Sequence, residues 1–165
     1  MNQIKEKPQL TYIEALKNAL DKIIQIQGRS RRSEYWWTRG TVFLVSIVLA
    51  RLFSPFGLLV LNLLTIPLTF RRLHDTGRSG WWLGVSILLR CSLTVIFIAD
   101  IFQIASAGIH DADIDIYRMI YPMIGKYFAL GAICILYDIL LIVFLCMDSD
   151  KETNQYGESP KYYRE

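Results

Sequence analysis

Long apolar runs alternate with short blocks dense in charge along this chain. Charge is concentrated before residue 35, returns at 71–78, and dominates from 148 onward. Between these blocks lie apolar stretches at 35–53, 56–70, 81–102 and 122–147. A helix rises 1.5 Å per residue, so crossing a hydrocarbon core about 30 Å thick takes about 20 apolar residues. The first, third and fourth stretches meet that length. The second is short and carries Pro67, which predicts a kink or a re-entrant dip; crossing is the reading that agrees with the charge pattern. The expected architecture is all-α, an integral membrane bundle of four transmembrane helices with an N-terminal amphipathic helix. The 165 residues fit a single membrane domain, with 148–165 as a tail.

The amphipathic element is expected over 10–27. Thr11 and Glu14 have the spacing of a capping box, in which each side chain satisfies the other residue's free backbone N–H. Ile13, Leu16, Leu20 and Ile23 follow helical spacing, and Gly28 is expected to end the helix. Such a helix either lies along the membrane surface or packs on the ends of the spans. The first sustained apolar run begins only near Tyr35, so insertion is expected to use these helices and no secretory leader.

Orientation follows from the basic residues. Lys5, Lys7, Lys17, Lys22, Arg29, Arg31 and Arg32 precede the first stretch. Arg71, Arg72 and Arg78 lie between the second and third, and Lys151, Lys161 and Arg164 follow the fourth. The other connectors are poorer in base: 54–55 is expected as a tight hairpin, and 105–121 as a loop carrying Asp111, Asp113 and Asp115 against Arg118. The positive-inside rule then puts both termini and the 71–80 loop in the cytoplasm, which requires an even number of crossings.

Two segments stand out, Gly28-Arg-Ser-Arg-Arg-Ser-Glu-Tyr-Trp-Trp37 and Phe70-Arg-Arg-Leu-His-Asp-Thr-Gly-Arg-Ser-Gly-Trp-Trp82. Each sets several arginines before a Trp pair that opens a span. Trp36, Trp37, Trp81 and Trp82 suit the membrane interface, and arginines beside them reach lipid phosphate. Arg29, Arg31, Arg32, Arg71, Arg72 and Arg78 are expected to form one basic surface, with Glu34 and Asp75 as counter-charges. Read as topology determinants, these residues need no ligand. Read functionally, together with His74 and Asp75, they bind an anionic headgroup or a protein partner, because a guanidinium matches phosphate oxygens in bidentate fashion. Ser79 is placed to cap the third span. His74-Asp75 also offers an acid–base pair, although neighbours in sequence often point apart and no nucleophile motif accompanies it.

Intramembrane charges are costly unless paired. Arg90 lies nine residues after Trp81 and Asp138 nine before Met147, so both fall roughly 13 Å from the same end of their spans. Their pairing inside the bundle is expected, with Asp100 and Lys126 as a second pair. A packing clamp is the simpler role, and a polar pathway the alternative. Cys91, Cys134 and Cys146 show no metal-ligand or disulfide spacing and are expected as buried helix residues. The acidic run from His110 to Asp115 fails as a calcium loop, since Ile116 and Pro122 stand where Gly and Glu are required. No metal or cofactor is implied, and a net charge of +3 gives no argument for nucleic acid.

The two Arg–Trp segments resemble the signatures of the bacterial "domain of unknown function 805" family of small inner-membrane proteins. Asn154-Gln-Tyr-Gly-Glu-Ser-Pro-Lys161 is similar to that family's closing element, with Ser159 where an Asp recurs. The resemblance runs from about residue 10 to 161. It implies the bacterial plasma membrane and four spans, and it brings no activity, cofactor or catalytic residue. The expectation is a non-enzymatic membrane protein whose cytoplasmic Arg/Trp face binds anionic lipid or a partner. The alternatives are a membrane enzyme on a phosphorylated or lipid-linked substrate, with His74 as acid–base, and a small transporter subunit.

Overall fold

The computed structural model describes residues 3–52, 62–110 and 116–165. Five helices are resolved among them: α1 (Tyr12–Asp21), α2 (Arg32–Leu52), α3 (Ile66–Asp75), α4 (Trp81–His110) and α5 (Ile116–Cys146). A short antiparallel ladder joins β1 (Ile4–Glu6) to β2 (Tyr162–Arg164), pairing Ile4 with Arg164 and Glu6 with Tyr162. Nothing in the residue pattern pointed to these strands. The described chain falls into two compact units, Met1–Trp82 with Val143–Glu165, and Leu83–Ile142.

In the first unit α1 carries the expected capping box, with Thr11 N donating to Glu14 Oε2 at 2.8 Å. It ends at Asp21, short of the expected Gln27. Ile23 N bonds Leu20 O and Gln25 N bonds Lys22 O, so the chain leaves through tight turns at the β-branched Ile23-Ile24 pair. Gly28 then takes φ 94°, a left-handed turn open to Gly, immediately before the first Arg segment. Ala15 and Ala19 bury the small face of α1, which packs against α2.

The expected 54–55 hairpin lies outside the described residues, as does the expected 56–70 span up to residue 61. Its described end is helical at 62–64, breaks at Thr65 and resumes as α3, so Pro67 sits in a first turn where its missing N–H costs no internal hydrogen bond and the helix is interrupted next to it, as the expected kink requires. The 71–80 segment is not the expected loop: α3 continues to Asp75. Gly77 N then bonds His74 O and Arg78 N bonds Leu73 O, the paired bonds of a Schellman turn, with Gly77 at φ 71°. Phe70 closes over Gly80, whose backbone leaves no room for a side chain: a Cβ there would collide with the ring. Ser79 Oγ accepts from Trp81 N at the start of α4.

Among the described residues, two helices are long and apolar enough to cross a membrane, within Trp81–Ala107 of α4 and Ile120–Cys146 of α5. Each 27-residue window would rise about 40 Å, more than a hydrocarbon core requires. The acidic connector is shorter than the expected 105–121. Helix continues to His110 through Gly108 and resumes at Ile116, with Pro122 inside α5. Asp111, Asp113 and Asp115 lie outside the described residues.

In the second unit Arg90 Nη2 donates to Asp138 Oδ2 at 2.6 Å, and Ser86 Oγ to Asp138 Oδ1 at 3.2 Å. Lys126 Nζ and Tyr127 Oη both donate to Asp100. Protein does not enclose the first pair: its side chains are 55% and 36% exposed. The cysteines likewise depart from expectation. Cys91 and Cys146 are exposed and Cys134 half-buried, since apolar residues of a long membrane helix need not face protein to leave water.

Candidate functional site

The two Arg segments and the C-terminal element meet in the first unit, and the meeting is an internal clamp. Arg29 is 7% exposed and uses all five guanidinium N–H donors. Nε donates to Asp75 Oδ1 at 3.0 Å, Nη1 to Glu152 O at 2.8 Å and Gly157 O at 3.2 Å, and Nη2 to Asp150 O at 2.7 Å and Asp75 O at 3.2 Å. One side chain thereby ties the entry to α2, the end of α3 and the tail. Asp75 is fully buried and accepts additionally from Arg72 Nη1 at 2.5 Å and from Ser149 Oγ. Its backbone carbonyl takes the Asp150 N–H at 2.9 Å. Burial pushes the Asp75 carboxyl up, while Ser149, Arg72 and Arg29 pull it down.

Arg72, also fully buried, meets a need that every helix end creates. The last carbonyls of α5 have no intrahelical partner, and the helix dipole makes that end electronegative. Arg72 Nε donates to Leu145 O at 3.1 Å and Nη2 to Met147 O, while Arg32 Nη1 reaches Cys146 O at 3.4 Å. Two guanidinium groups thus cap α5.

His74 and Asp75 do not form an acid–base pair. The carboxylate of Asp75 is engaged by the two arginines and Ser149. His74 Nδ1 lies 3.2 Å from the Gly28 carbonyl, to which it donates, and its ring stacks on Tyr156 at 3.7 Å between centroids, 3° from parallel. Burial lowers its pKa, against the Gly28 hydrogen bond. Asn154 Nδ2 completes this contact by donating to His74 O at 2.9 Å. Ser159 is buried, and its Oγ accepts from Tyr162 N at 3.2 Å, a turn-closing role that an Asp side chain would also serve.

The expected basic surface therefore needs correction. Arg29, Arg31, Arg71 and Arg72 are each at most 7% exposed: backbone carbonyls distant in sequence engage Arg29, Arg31 and Arg72, and Arg71 is enclosed without hydrogen bonds. Arg78 is half-buried, bonding Thr76 O with its guanidinium over the Phe144 ring. Arg71 faces Glu34, with Nη1 and Oε1 3.5 Å apart. Among the six expected arginines, Arg32 alone is exposed.

What remains open is a cleft of about 450 Å³ lined by Arg31, Arg32, Ser33, Trp36, Trp37 and Lys161, with Glu6 and Asp148 on its wall. Arg31 donates to Pro8 O at 2.6 Å, and Lys161 Nζ binds both Asp148 oxygens at 2.7 and 2.9 Å. Burial works against the Asp148 charge, but Lys161, the Ser149 N–H and Tyr162 together hold the carboxyl down at about 2. Trp36, Trp37, Trp81 and Trp82 stay 38–75% exposed, as interface anchors require. No His/Cys/Asp/Glu group with metal-ligand geometry occurs among the described residues. Sequence reasoning missed Lys161, Ser149 and Arg39, whose Nη1 bonds Thr65 Oγ1 at 2.5 Å. The recurring tail element was the one signal pointing to the 148–161 region.

The family model described as "Protein of unknown function (DUF805)" matches residues 23–158. The chain is similar to "Inner membrane protein YhaI" of Escherichia coli K12 and of E. coli O157:H7. Each is 27% identical over 161 residues, covering 92% of this chain and 95% of the relative. No solved structure matches significantly. The matched span contains every clamp residue, from Arg29 to Gly157. With α4 and α5 long enough to cross a bilayer, the likeness makes this a membrane protein of uncharacterised role.

Proposed function

The chain belongs to the DUF805 family, and from that premise we propose that it is a non-enzymatic protein of the bacterial inner membrane whose folded cytoplasmic cap receives an anionic lipid headgroup. The observation that carries this reading is the cleft, where Arg31, Arg32 and Lys161 stand beside Trp36 and Trp37. Cations next to interfacial indoles suit a phosphate held at headgroup depth. Three bases against Glu6 and Asp148 leave one net positive charge, enough to favour an anionic headgroup over a zwitterionic one.

The same reading has one membrane domain, four crossings and both termini in the cytoplasm. Pairing of β1 with β2 supports an even number of crossings, because the two ends of the chain share a ladder. The Arg29–Asp75 bond adds the interior of the chain: the stretch between them leaves and returns, as does the stretch from Asp75 to Asp150. Basic residues around all these points favour the cytoplasmic side.

The test is retention of lipid by full-length protein purified in mild detergent and measured by native mass spectrometry. Phosphatidylglycerol should be retained over phosphatidylethanolamine, and the preference should shrink with salt and with Arg32→Gln plus Lys161→Gln. Equal retention of both lipids, or a preference untouched by the double substitution, would exclude the headgroup site.

A further inference from the structure

A second polar constellation lies away from the cleft, between α1, α2 and α3. Glu34 and Thr38 are one turn apart on α2, Ser30 lies just before it, and Arg71 faces them from α3. All four are buried, Arg71 to 1% exposure and Ser30 to 0%. Unlike Arg29 and Arg72, Arg71 makes no hydrogen bond from Nε, Nη1 or Nη2. Ser30 Oγ, Thr38 Oγ1 and Glu34 Oε1 also lack a hydrogen bond of good geometry. Arg71, Thr38 and Thr65 form the polar wall of a cavity of about 40 Å³ whose other lining is apolar, including Leu20, Val42 and Leu68; the Thr65 hydroxyl is already engaged by Asn62 O and Arg39.

Buried polar groups left unsatisfied are expensive, and a guanidinium more so than a hydroxyl. The cavity holds about one water-sized particle, since a water occupies about 30 Å³. A lipid phosphate is too large for it. The orphaned groups are nearly all donors: five N–H bonds of Arg71 and two hydroxyls, against one carboxyl oxygen. A water would bring two further hydrogens to a place short of acceptors. A monatomic anion accepts from every donor and brings none.

We propose that Arg71 and Thr38 hold a single halide ion in this cavity. The charge balance supports it. Burial pushes the Glu34 carboxyl up, against the pull of Arg71 and the Ser30 hydroxyl, so Glu34 takes up a proton more readily than an exposed glutamate and, once protonated, no longer offsets the Arg71 charge 3.5 Å away. Lys22 from α1 and Asp75 from α3 are the other charges acting on Glu34, and they oppose each other. Anion uptake and protonation of Glu34 are therefore coupled, and halide binding strengthens as pH falls.

The experiment uses full-length protein in mild detergent, with sodium bromide titrated against sodium gluconate at constant ionic strength. The unfolding midpoint should rise saturably with bromide, more strongly at pH 5 than at pH 8. Thr38→Val keeps the shape and removes one donor. It should unfold normally in gluconate yet need about five-fold more bromide for the same shift. In bromide-soaked crystals an anomalous peak should lie within hydrogen-bond reach of Arg71. A midpoint indifferent to the choice of anion, a Thr38→Val response identical to the native one, or a cavity holding only water would each overturn the assignment.

Discussion

Replacing Asp75 with Asn changes one atom and removes a carboxylate bonded to two buried arginines. Asp75 accepts from Arg29 Nε at 3.0 Å, Arg72 Nη1 at 2.5 Å and Ser149 Oγ. Whichever way the amide turns, its NH2 confronts a donor, and at least one charge-assisted bond worth about 1.5–3 kcal/mol is lost. The charge left behind costs more. Arg29 and Arg72 have side chains 1% and 0% exposed, so water cannot replace the missing counter-ion. Removing one partner of a buried pair costs about 3–5 kcal/mol, and that is the expected destabilisation here. Against a total stability of about 5–15 kcal/mol, it would shift the urea midpoint of detergent-solubilised protein by a large fraction of its value. Arg32→Gln is the comparison: Arg32 is exposed and makes one long bond to Cys146 O at 3.4 Å, so its loss should cost less than about 1 kcal/mol. An Asp75→Asn midpoint within about 1 kcal/mol of native would refute the reading of Asp75 as the hub of the clamp.

Gly80→Ala should destabilise by about 1–3 kcal/mol through overpacking, because the new methyl would collide with Phe70 Cδ1; Phe70→Leu in the same chain should restore part of the loss in the same urea titration. Acid should loosen the tail through Asp148. Its folded pKa of about 2 lies below the ordinary 3.8, so its contribution is present above pH 4 and lost as pH falls from about 4 to 2. Asp148→Asn should flatten stability over that window, and high salt should do the same because the group is exposed.

Sequence pattern reached the local devices and stopped at the long-range ones. The Thr11–Glu14 capping box, the Ser79 cap and the apolar lengths of α4 and α5 are written in spacing a few residues long. The convergence of the Arg segments was legible from charge orientation, since both belong to basic connectors. Their burial was not. Whether an arginine faces phosphate or a carbonyl depends on partners such as Gly157, 128 residues from Arg29, and no periodicity encodes that pairing. Arg29, Arg31, Arg32 and Arg71 look alike in sequence, yet they end respectively as a five-bond tie, a support for residues 7–8, an exposed cation and a buried donor without hydrogen bonds. The terminal ladder was invisible for a similar reason: three residues per strand carry no alternation worth reading. Arg39 escaped notice because it sits at the edge of an apolar stretch whose overall character dominates it.

The two Arg segments act first as an intramolecular clamp on the C-terminal tail. Site-resolved hydrogen exchange in nanodiscs tests it at three amides: Asp150 N, bonded to Asp75 O at 2.9 Å, and the Asn154 and Gly157 N–H groups, which bond each other's carbonyls. The clamp predicts slow exchange at all three in the native chain and fast exchange in Asp75→Asn. Exchange at free-peptide rates in the native chain would contradict it, leaving the arginines available to lipid and the tail unattached.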